Sequence, residues 1–399
     1  MKNILAAALI ASSFFNYSCN NNDTKGDETN KANTDYKPAF EGQTRIASVK
    51  TETPFESKVI TNQLKSPWGI AVLPDNRLLI TEKEGTFRIV NIDGSVSEAI
   101  TGAPKVDIDG QGGLLGVTLD PNFQDNRIIY WTFAEPVEGG NHTSVAKGKL
   151  AEDEKTIIDS QVILRTNPVY QGKLHYGGRI KFDKTGHLIV SVGERSDLPT
   201  RALAQDLKST IGKILRITTD GKPAADNPYI GNPDVSPEIY TYGHRNPQGL
   251  AFHPETGDLW ATEFGPRGGD ELNLITAGKN YGWPTITYGI EYSGEAIGNP
   301  PIQAKEGMEQ PVYYWDPVLS PSGITFYSGK GVEEWKNNLF IAGLSSTNIA
   351  RIVIKDNKVV GEERLLTKEA ERFRDVVEGN NGELFAITDA GKLYSITKK

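Results

Sequence analysis

The pattern of apolar and polar positions along this chain predicts short β-strands that follow tight turns. Six times, a turn containing Asn, Asp or Gly leads into an alternating apolar segment, at residues 75–81, 125–131, 185–190, 256–261, 337–342 and 381–386. Several of these segments precede a second apolar segment, as at 86–90 and 350–353. Turn residues between alternating strands are typical of hairpins, so each unit contains at least one hairpin.

The sixfold recurrence of this unit predicts an all-β fold, a six-bladed β-propeller. The units are spaced at irregular multiples of the length of a four-stranded blade, which indicates long loops inserted between strands. We expect those loops to lie on one face and to carry the chemistry. The two packed sheets of a β-sandwich would explain the strands but not their recurrence. One short helix is predicted over residues 202–215.

The composition narrows the class of partner. The chain has 399 residues, a net charge of −8, 41 Gly, five His and one Cys. An acidic chain without a basic cluster argues against a nucleic-acid partner. Many glycines among β-forming residues suit short strands joined by tight turns.

The N-terminus has the pattern of a targeting segment. Lys2, the apolar residues 4–10 and Cys19 predict a lipoprotein-type signal peptide over residues 1–19, lipidated at Cys19. Residues 20–40 are polar and predict a solvated tether, and residues 41–399 form the propeller domain. We therefore expect a protein of the cell envelope that meets the membrane through its lipid only, on the periplasmic or surface side. An ordinary cleaved signal, giving a soluble periplasmic or secreted protein, is the alternative.

His175 is the first candidate catalytic residue. It opens the stretch 175–179, in which two glycines lead into an apolar strand-like segment. A histidine displayed on a loop that enters a sheet is suited to act as a general base. Most loop histidines have no such role, so only the motifs further along the chain support a catalytic role for His175.

The densest polar cluster spans residues 243–250 and 263–271. Arg245 has a planar guanidinium suited to carboxylate or quinone oxygens. The turn at Gly265 and Pro266 offers backbone carbonyls, and Asp270 and Glu271 add two carboxylates. Carbonyl and carboxylate oxygens suit calcium, whereas zinc would require His and Cys. A polar loop between blades, with surface carboxylates, is the alternative.

Arg372 and Arg374 alternate along a predicted extended segment, so both guanidinium groups can face one ligand. Two arginines aimed together indicate a multiply anionic ligand. Asp375 could instead neutralise them in a surface ion pair. Gln111 lies in the glycine-dense loop 109–116, where the backbone can approach a ligand closely, although no nucleotide-binding loop follows.

Taken together, these sequence motifs resemble those of the glucose/sorbosone dehydrogenase family of quinoproteins, in particular its soluble aldose sugar dehydrogenases. The resemblance runs from about residue 51 to residue 396. It is carried by the order and joint presence of segments 66–70, 110–116, 175–179, 242–250, 265–273, 280–284, 314–326 and 372–375.

The resemblance implies a six-bladed propeller that uses pyrroloquinoline quinone (PQQ) and calcium to oxidise aldoses at C1 to lactones. It implies that His175 is the base and that Arg245, also catalytic, and Asn246 lie near the quinone oxygens. Arg372 and Arg374 would grip the PQQ carboxylates, and Gln111 and Tyr292 would be further cofactor contacts. Two calcium sites are implied, one at the carbonyls of Gly265 and Pro266 and a structural one at Glu271 and the Tyr281 carbonyl.

Two positions depart from the family pattern. Ser345 stands where members commonly carry a PQQ-binding Lys, and Leu174 replaces an acidic residue that precedes the base in glucose-oxidising relatives. The identity of the aldose and of the electron acceptor therefore stays open. Ser345 favours a second hypothesis, a calcium-bearing carbohydrate-binding or scaffold lipoprotein. The third hypothesis is a calcium-dependent lactonase that uses Asp109, Asn246 and Asp270. The retained arginines and His175 favour the dehydrogenase.

Overall fold

The computed structural model describes residues 31–399, which form six β-sheets arranged as the blades of a propeller. The predicted all-β six-bladed fold is confirmed. The signal segment, Cys19 and the first part of the predicted tether lie outside the described residues. Within the described part, no helix is long and apolar enough to cross a membrane.

The strands are numbered in chain order, and β1 (Phe55–Thr61) precedes the first blade. Blade 1 contains β2 (Pro67–Val72), β3 (Leu78–Glu82) and β4 (Thr86–Val90). Blade 2 contains β5 (Leu114–Leu119), β6 (Ile128–Val137), β7 (Gly140–Leu150) and β8 (Ile157–Arg165). Blade 3 contains β9 (Ile180–Phe182), β10 (Leu188–Val192), β11 (Lys213–Ile217) and β12 (Ile239–Tyr242).

Blade 4 contains β13 (Pro247–Phe252), β14 (Leu259–Glu263), β15 (Asp270–Ile275) and β16 (Tyr313–Trp315). Blade 5 contains β17 (Pro321–Phe326), β18 (Leu339–Gly343), β19 (Asn348–Lys355) and β20 (Lys358–Leu365). Blade 6 contains β21 (Phe373–Glu378), β22 (Leu384–Thr388) and β23 (Leu393–Lys398). The helices are single turns, α1 (Phe123–Asn126), α2 (Leu198–Arg201) and the 3₁₀ turns Ala202–Ala204 and Glu333–Trp335.

The six repeated sequence segments become the second strand of each blade, β3, β6, β10, β14, β18 and β22. All five residues of β3, β10, β14, β18 and β22 are buried. These strands are covered on both sides by neighbouring blades, so both of their faces select apolar residues. Aromatic rings join the blades, as where Trp131 of β6 meets Phe87 of β4 edge-on with 5.4 Å between centroids.

The predicted helix over residues 202–215 is wrong. Only Ala202–Ala204 is helical, as a 3₁₀ turn after α2, and residues 213–217 form the fully buried strand β11, which includes Lys213 and Arg216. The apolar and charged residues of this segment do not alternate, so its pattern does not distinguish a strand from a helix. Gly212, with φ +69°, breaks the chain just before the strand begins.

Blade 6 is closed by the two ends of the described chain. Strand β1 pairs antiparallel with β23 from Phe55–Lys398 to Thr61–Leu393. Upstream of β1, the part of the predicted tether that the structure describes contacts blade 4. The backbone N–H groups of Asn33 and Thr34 donate to the carboxylate of Asp316 over 2.9 and 3.1 Å.

The loops that enter the first strand of each blade and leave the second strand meet at one end of the propeller, because the two strands are antiparallel. We call this end the cavity face. Gln111 precedes β5, His175 precedes β9, Arg245 precedes β13 and Arg372 precedes β21. The fold thus brings to one face candidates that are far apart in sequence.

Candidate active site

A cavity of about 320 Å³ opens on the cavity face, and five of the six blades contribute to its lining. Gln111, Arg372 and Arg374 line it, as the sequence predicts for cofactor-binding residues. Trp68, Lys83 and Gln248 also line it and were not predicted. Among the lining residues that the structure describes, Lys83, Arg372 and Arg374 are cationic and Asp389 is anionic. The lining is therefore net positive, although the whole chain carries a charge of −8.

His175 lies one hydrogen bond behind this lining. Its backbone N–H donates to the side-chain carbonyl of Gln111 over 2.9 Å. Its imidazole is buried, with Nδ1 2.6 Å from Oε1 of Glu194. Gly193 makes this approach possible, since a Cβ there would lie 2.2 Å from the carbonyl oxygen of His175. The sequence predicts a histidine displayed at the tip of the loop. The structure instead holds the histidine inside the loop, beside the cavity.

The hydrogen bond to Glu194 decides what His175 can do. A carboxylate accepts, so Nδ1 carries the proton and Nε2 keeps its lone pair, as a base requires. Burial first, and then the positive charge of Arg245, lower the pKa of His175 from 6.5 to about 4, against the opposing effect of Glu194. The imidazole is therefore neutral at neutral pH and available to accept a proton.

This shift predicts where activity is lost in acid. For a reaction that uses His175 as its base, the acid limb of the kcat/KM profile is expected near pH 4 rather than near 6.5, because protonation occupies Nε2. Stability should also fall as the pH drops from about 6.5 to about 4, since the unfolded chain binds this proton more readily than the folded protein does. Steady-state rates measured from neutral pH downward, with circular dichroism at each pH, test this. An acid limb at 6.5 in a folded protein contradicts it.

Arg245 and Asn246 lie next to His175. The carbonyl of Arg245 accepts a hydrogen bond from the N–H of Glu194 over 2.8 Å, and Oδ1 of Asn246 accepts one from Gly177 over 3.0 Å. Nε of Arg245 and Nδ2 of Asn246 are buried donors with no hydrogen-bond partner in the described part of the chain. Buried donors are normally satisfied, so these two fit a ligand with acceptor oxygens, such as a quinone.

Arg372 and Arg374 do face the same way, but their partner differs from the one we expected. Asp389 accepts from Nε of Arg372 over 3.0 Å and from Nε of Arg374 over 2.8 Å. Burial alone would raise the pKa of Asp389, but the guanidinium groups outweigh it and hold that pKa below its ordinary value. The alternative, an ion pair of both arginines with Asp375, is wrong: Asp375 points to the opposite side of its strand and pairs with Arg179 over 2.5 Å.

The predicted calcium ligands fall into two places. The carbonyl of Gly265 accepts a hydrogen bond from Nη1 of Arg245 over 2.5 Å, and Pro266 follows it in the same buried turn. A guanidinium and a divalent cation repel each other, so the geometry at Gly265 does not fit a bridging calcium. We therefore assign no chemical step to a metal at this turn.

Glu271 fits a cation better. Burial first, and then the negative charge of Glu263, raise the pKa of Glu271 well above its ordinary value. Asn273 donates to both carboxylates over 3.0 Å. Tyr281 lies beside this pair, with its ring stacked on His244, whose Nδ1 is 2.9 Å from Glu263. Glu263 is buried and Glu271 half-buried, and no Lys or Arg among the described residues pairs with either, which is a suitable environment for calcium.

Three further positions complete the account of the sequence candidates. Tyr292, a predicted cofactor contact, is 70% exposed and is not among the described residues that line the cavity. Leu174 is exposed and directly precedes His175. Ser345 is exposed and accepts a hydrogen bond from Ser320 over 2.8 Å, next to the lining residue Leu344. Lys83 supplies an ammonium group to the lining in addition to the two arginines, with Nζ 2.7 Å from the carbonyl of Gly110.

Sequence reasoning missed Glu194, Arg195, Gln248 and Asp389. Glu194 follows the strand that pairs with β9, so a hairpin interpretation of residues 180–192 would have placed it near His175. Asp389 follows β22, which pairs with the strand of Arg374 in the same way. A charged residue directly after the second strand of a blade is the signal in both cases.

The fold and the site together define a six-bladed propeller with a cation-lined cavity at its centre and a carboxylate-held histidine beside it. The family model described as Glucose / Sorbosone dehydrogenase matches residues 64–395. The chain belongs to the glucose/sorbosone dehydrogenase family, as its resemblance predicted.

Relatives within the family include well-described proteins. The chain is 38% identical to the aldose sugar dehydrogenase YliI of Escherichia coli (strain K12) over 346 residues, covering 86% of this chain and 92% of that protein. The apo-form crystal structure of the E. coli soluble aldose sugar dehydrogenase has a TM-score of 0.82 at 38% identity, covering 86% of this chain and all of that one. A PQQ-bound aldose sugar dehydrogenase from Streptomyces coelicolor has a TM-score of 0.71 at 31% identity, covering 86% and 98%.

Proposed function

We propose that this protein is a PQQ-dependent dehydrogenase that oxidises aldose sugars at C1 to lactones. The observation that carries the proposal is the net positive cavity lining beside a buried, neutral histidine. PQQ carries several carboxylates, which Arg372 and Arg374 could bind bidentately. The E. coli relative, an aldose sugar dehydrogenase, supports the aldose, and the PQQ-bound S. coelicolor relative supports the quinone.

The residues of this chain then have separate roles. Nε2 of His175 accepts the proton of the C1 hydroxyl, while Glu194 holds the ring and stabilises the charge that forms on it. The donors of Arg245 and Asn246 that lack partners among the described residues would hold the quinone oxygens of the cofactor and stabilise negative charge there. PQQ, when bound, supplies the quinone that accepts the hydride leaving C1.

The test of this function is a titration of the purified apo-protein with PQQ, followed by absorbance. Aldoses from a panel are then added, with reduction of an artificial dye as readout. Saturable binding of PQQ and sugar-dependent dye reduction are expected, and the panel identifies the preferred aldose. A protein that binds no PQQ, or that binds it without oxidising any sugar, would overturn the proposal.

We also propose that calcium binds at Glu271 and the Tyr281 carbonyl and stabilises the domain. Because burial raises the pKa of Glu271, ionising this carboxylate costs stability as the pH rises, and calcium offsets that cost. Calcium is therefore expected to raise Tm by a few degrees at neutral pH and by less in mild acid.

Thermal unfolding with calcium or with a chelator at both pH values measures this effect. The variant Glu271→Gln is the control, because it removes one charge with little change of shape. It should be more stable than the wild type in chelator and should respond less to calcium. An equal response of both proteins to calcium at both pH values would place the ion elsewhere.

For the location, we propose a lipid anchor at Cys19 in the cell envelope. The proposal rests on the signal pattern of residues 1–19 and is tested by metabolic labelling with a fatty acid, with Cys19→Ser as the control. Unlabelled wild-type protein in the soluble fraction would favour the cleaved-signal alternative.

The two alternative functions receive less support. A carbohydrate-binding scaffold has no need of three cations in its central cavity. Lys83 supplies a positive charge to the cavity lining, although Ser345 supplies none. For the lactonase, the side chains of Asp109, Asn246 and Asp270 would have to converge on the central cavity. Asp109 instead pairs with Lys173 at the surface, and Asp270 is saturated by backbone N–H groups of Gly265, Leu319 and Ser320.

A further inference from the structure

Arg195 occupies an unusual place behind the proposed base. It is 2% exposed, and within the described part of the chain its guanidinium donates to carbonyl and amide oxygens rather than to a carboxylate. Nε donates to the carbonyl of Leu174 over 3.0 Å, and Nη2 donates to the carbonyl of Gly172 over 2.8 Å and to Oδ1 of Asn141 over 2.7 Å. The guanidinium carbon lies 3.9 Å from the ring centroid of Tyr176.

These contacts enclose His175 on both sides along the chain. Leu174 precedes the histidine and Tyr176 follows it, so one side chain fixes the backbone before the base and the ring after it. The backbone N–H of Arg195 also lies 3.3 Å from the carbonyl of His175. A guanidinium suits this task because its planar fork donates in several fixed directions at once.

The loop needs such a hold because it has no strand partner at this point. Residues 171–179 belong to no strand, and His175 has φ +46°, a region that non-glycine residues rarely adopt. A residue in this region persists only where its surroundings determine it. The direction of the imidazole therefore depends on the main chain of residues 172–176.

We propose that Arg195 is a positioning residue for the proposed reaction, which fixes the backbone of residues 172–176 so that Nε2 of His175 points at the substrate. Glu194 and Arg195 are consecutive residues, and together they fix the position of His175. Glu194 fixes the ring through Nδ1, and Arg195 fixes the main chain that carries it. The inference rests on the proposed function and adds to it a residue that does not touch the substrate.

The first test is the variant Arg195→Met, which keeps the length of the side chain and removes its donors. We expect kcat to fall by roughly 10- to 100-fold, since small misplacement of a reacting group has effects of this size. The KM for the aldose and the Kd for PQQ in the apo-protein should change little. Arg195→Lys keeps the charge but not the fork, so it should recover only part of kcat.

Arg351→Met is the matched control for loss of a buried arginine. Arg351 is 4% exposed and bonds to Glu363 and Asn338 in blade 5, away from the cavity. The Arg351→Met variant should have a lower Tm than the wild type and an unchanged kcat. In a His175→Ala background, Arg195→Met should have no further effect on the residual rate, because its action passes through His175.

A second readout does not depend on activity. The Nδ1 proton of His175, bonded to Glu194 over 2.6 Å, should give a downfield proton resonance, assigned by its loss in His175→Ala. In Arg195→Met this resonance should shift or broaden. The Nδ1 proton of His244, bonded to Glu263 over 2.9 Å, is an internal reference that should stay unchanged.

The outcomes separate cleanly. An unchanged kcat, an unchanged His175 resonance, or an equal loss of rate in the His175→Ala background would overturn the role of Arg195. So would a loss of PQQ affinity in place of a loss of kcat. If the wild type oxidises no aldose, the proposed function fails, and the resonance still decides whether Arg195 holds His175. If Arg195→Met does not fold, Arg195→Lys and Asn141→Ala, which removes one acceptor, carry the same measurements.

Discussion

Replacing His175 by alanine is expected to lower kcat for aldose oxidation by about 10²- to 10⁴-fold, the usual contribution of a general base. The C1 hydroxyl then has no group beside it to take its proton while the hydride leaves. PQQ binding should persist, because the cavity lining does not include His175 among its described members. Steady-state dye reduction and a PQQ titration of the same preparation measure both properties.

The control for this variant is His253→Ala, which removes a histidine after β13, at the opposite end of that strand from Arg245. Its kcat should equal that of the wild type. Glu194→Gln gives an intermediate case, since the amide can hold the ring but cannot balance its charge. Aldose oxidation at the wild-type rate in His175→Ala would rule out this residue as the base.

The double variant Arg372→Gln/Arg374→Gln is expected to weaken PQQ binding by about 10²- to 10⁴-fold, if each lost charge-assisted contact contributes about 1.5–3 kcal/mol. Both guanidinium groups reach Asp389 in the free protein, so their removal also leaves that carboxylate unpaired beside an anionic ligand. Titration of the apo-protein with PQQ measures the effect, and each single variant should account for part of it.

Asp389→Asn is the matched control, with an expected effect of opposite sign. It removes the anion that competes for both arginines and keeps the shape of the side chain. PQQ should bind it at least as tightly as the wild type. Tight binding to the double variant would instead mean that Lys83 or other residues grip the cofactor.

The fold could be predicted from the sequence because its repeat is local. Each turn and its following strand lie within one short segment, and the second strand of every blade is buried on both faces. The pairing of β1 with β23 could not be predicted this way, since it joins residues at opposite ends of the domain. Residues 213–217 were misassigned because strand β11 is buried on both faces and its apolar and charged residues do not alternate.

The site was predictable only where side-chain direction follows from the strand itself. Alternation places Arg372 and Arg374 together, and the same rule turns Asp375 away from them. The partners Glu194 and Asp389 come from neighbouring strands, so finding them requires the hairpin register. The guanidinium at the Gly265 carbonyl arises from contact between loops, which no pattern in the sequence specifies.

The closure of blade 6 has a consequence for how the protein is made. Strand β1 is synthesised before every blade, but its partner β23 follows all the other strands that the structure describes. Arg372, Arg374 and Asp389 belong to the same blade, so the anion-binding wall of the cavity is assembled after the rest of the ring. A chain without β23 retains five complete blades and His175, yet the blade that carries Arg372, Arg374 and Asp389 is incomplete. The arginine wall of the cavity is therefore supported only once β23 has been made and has paired with β1.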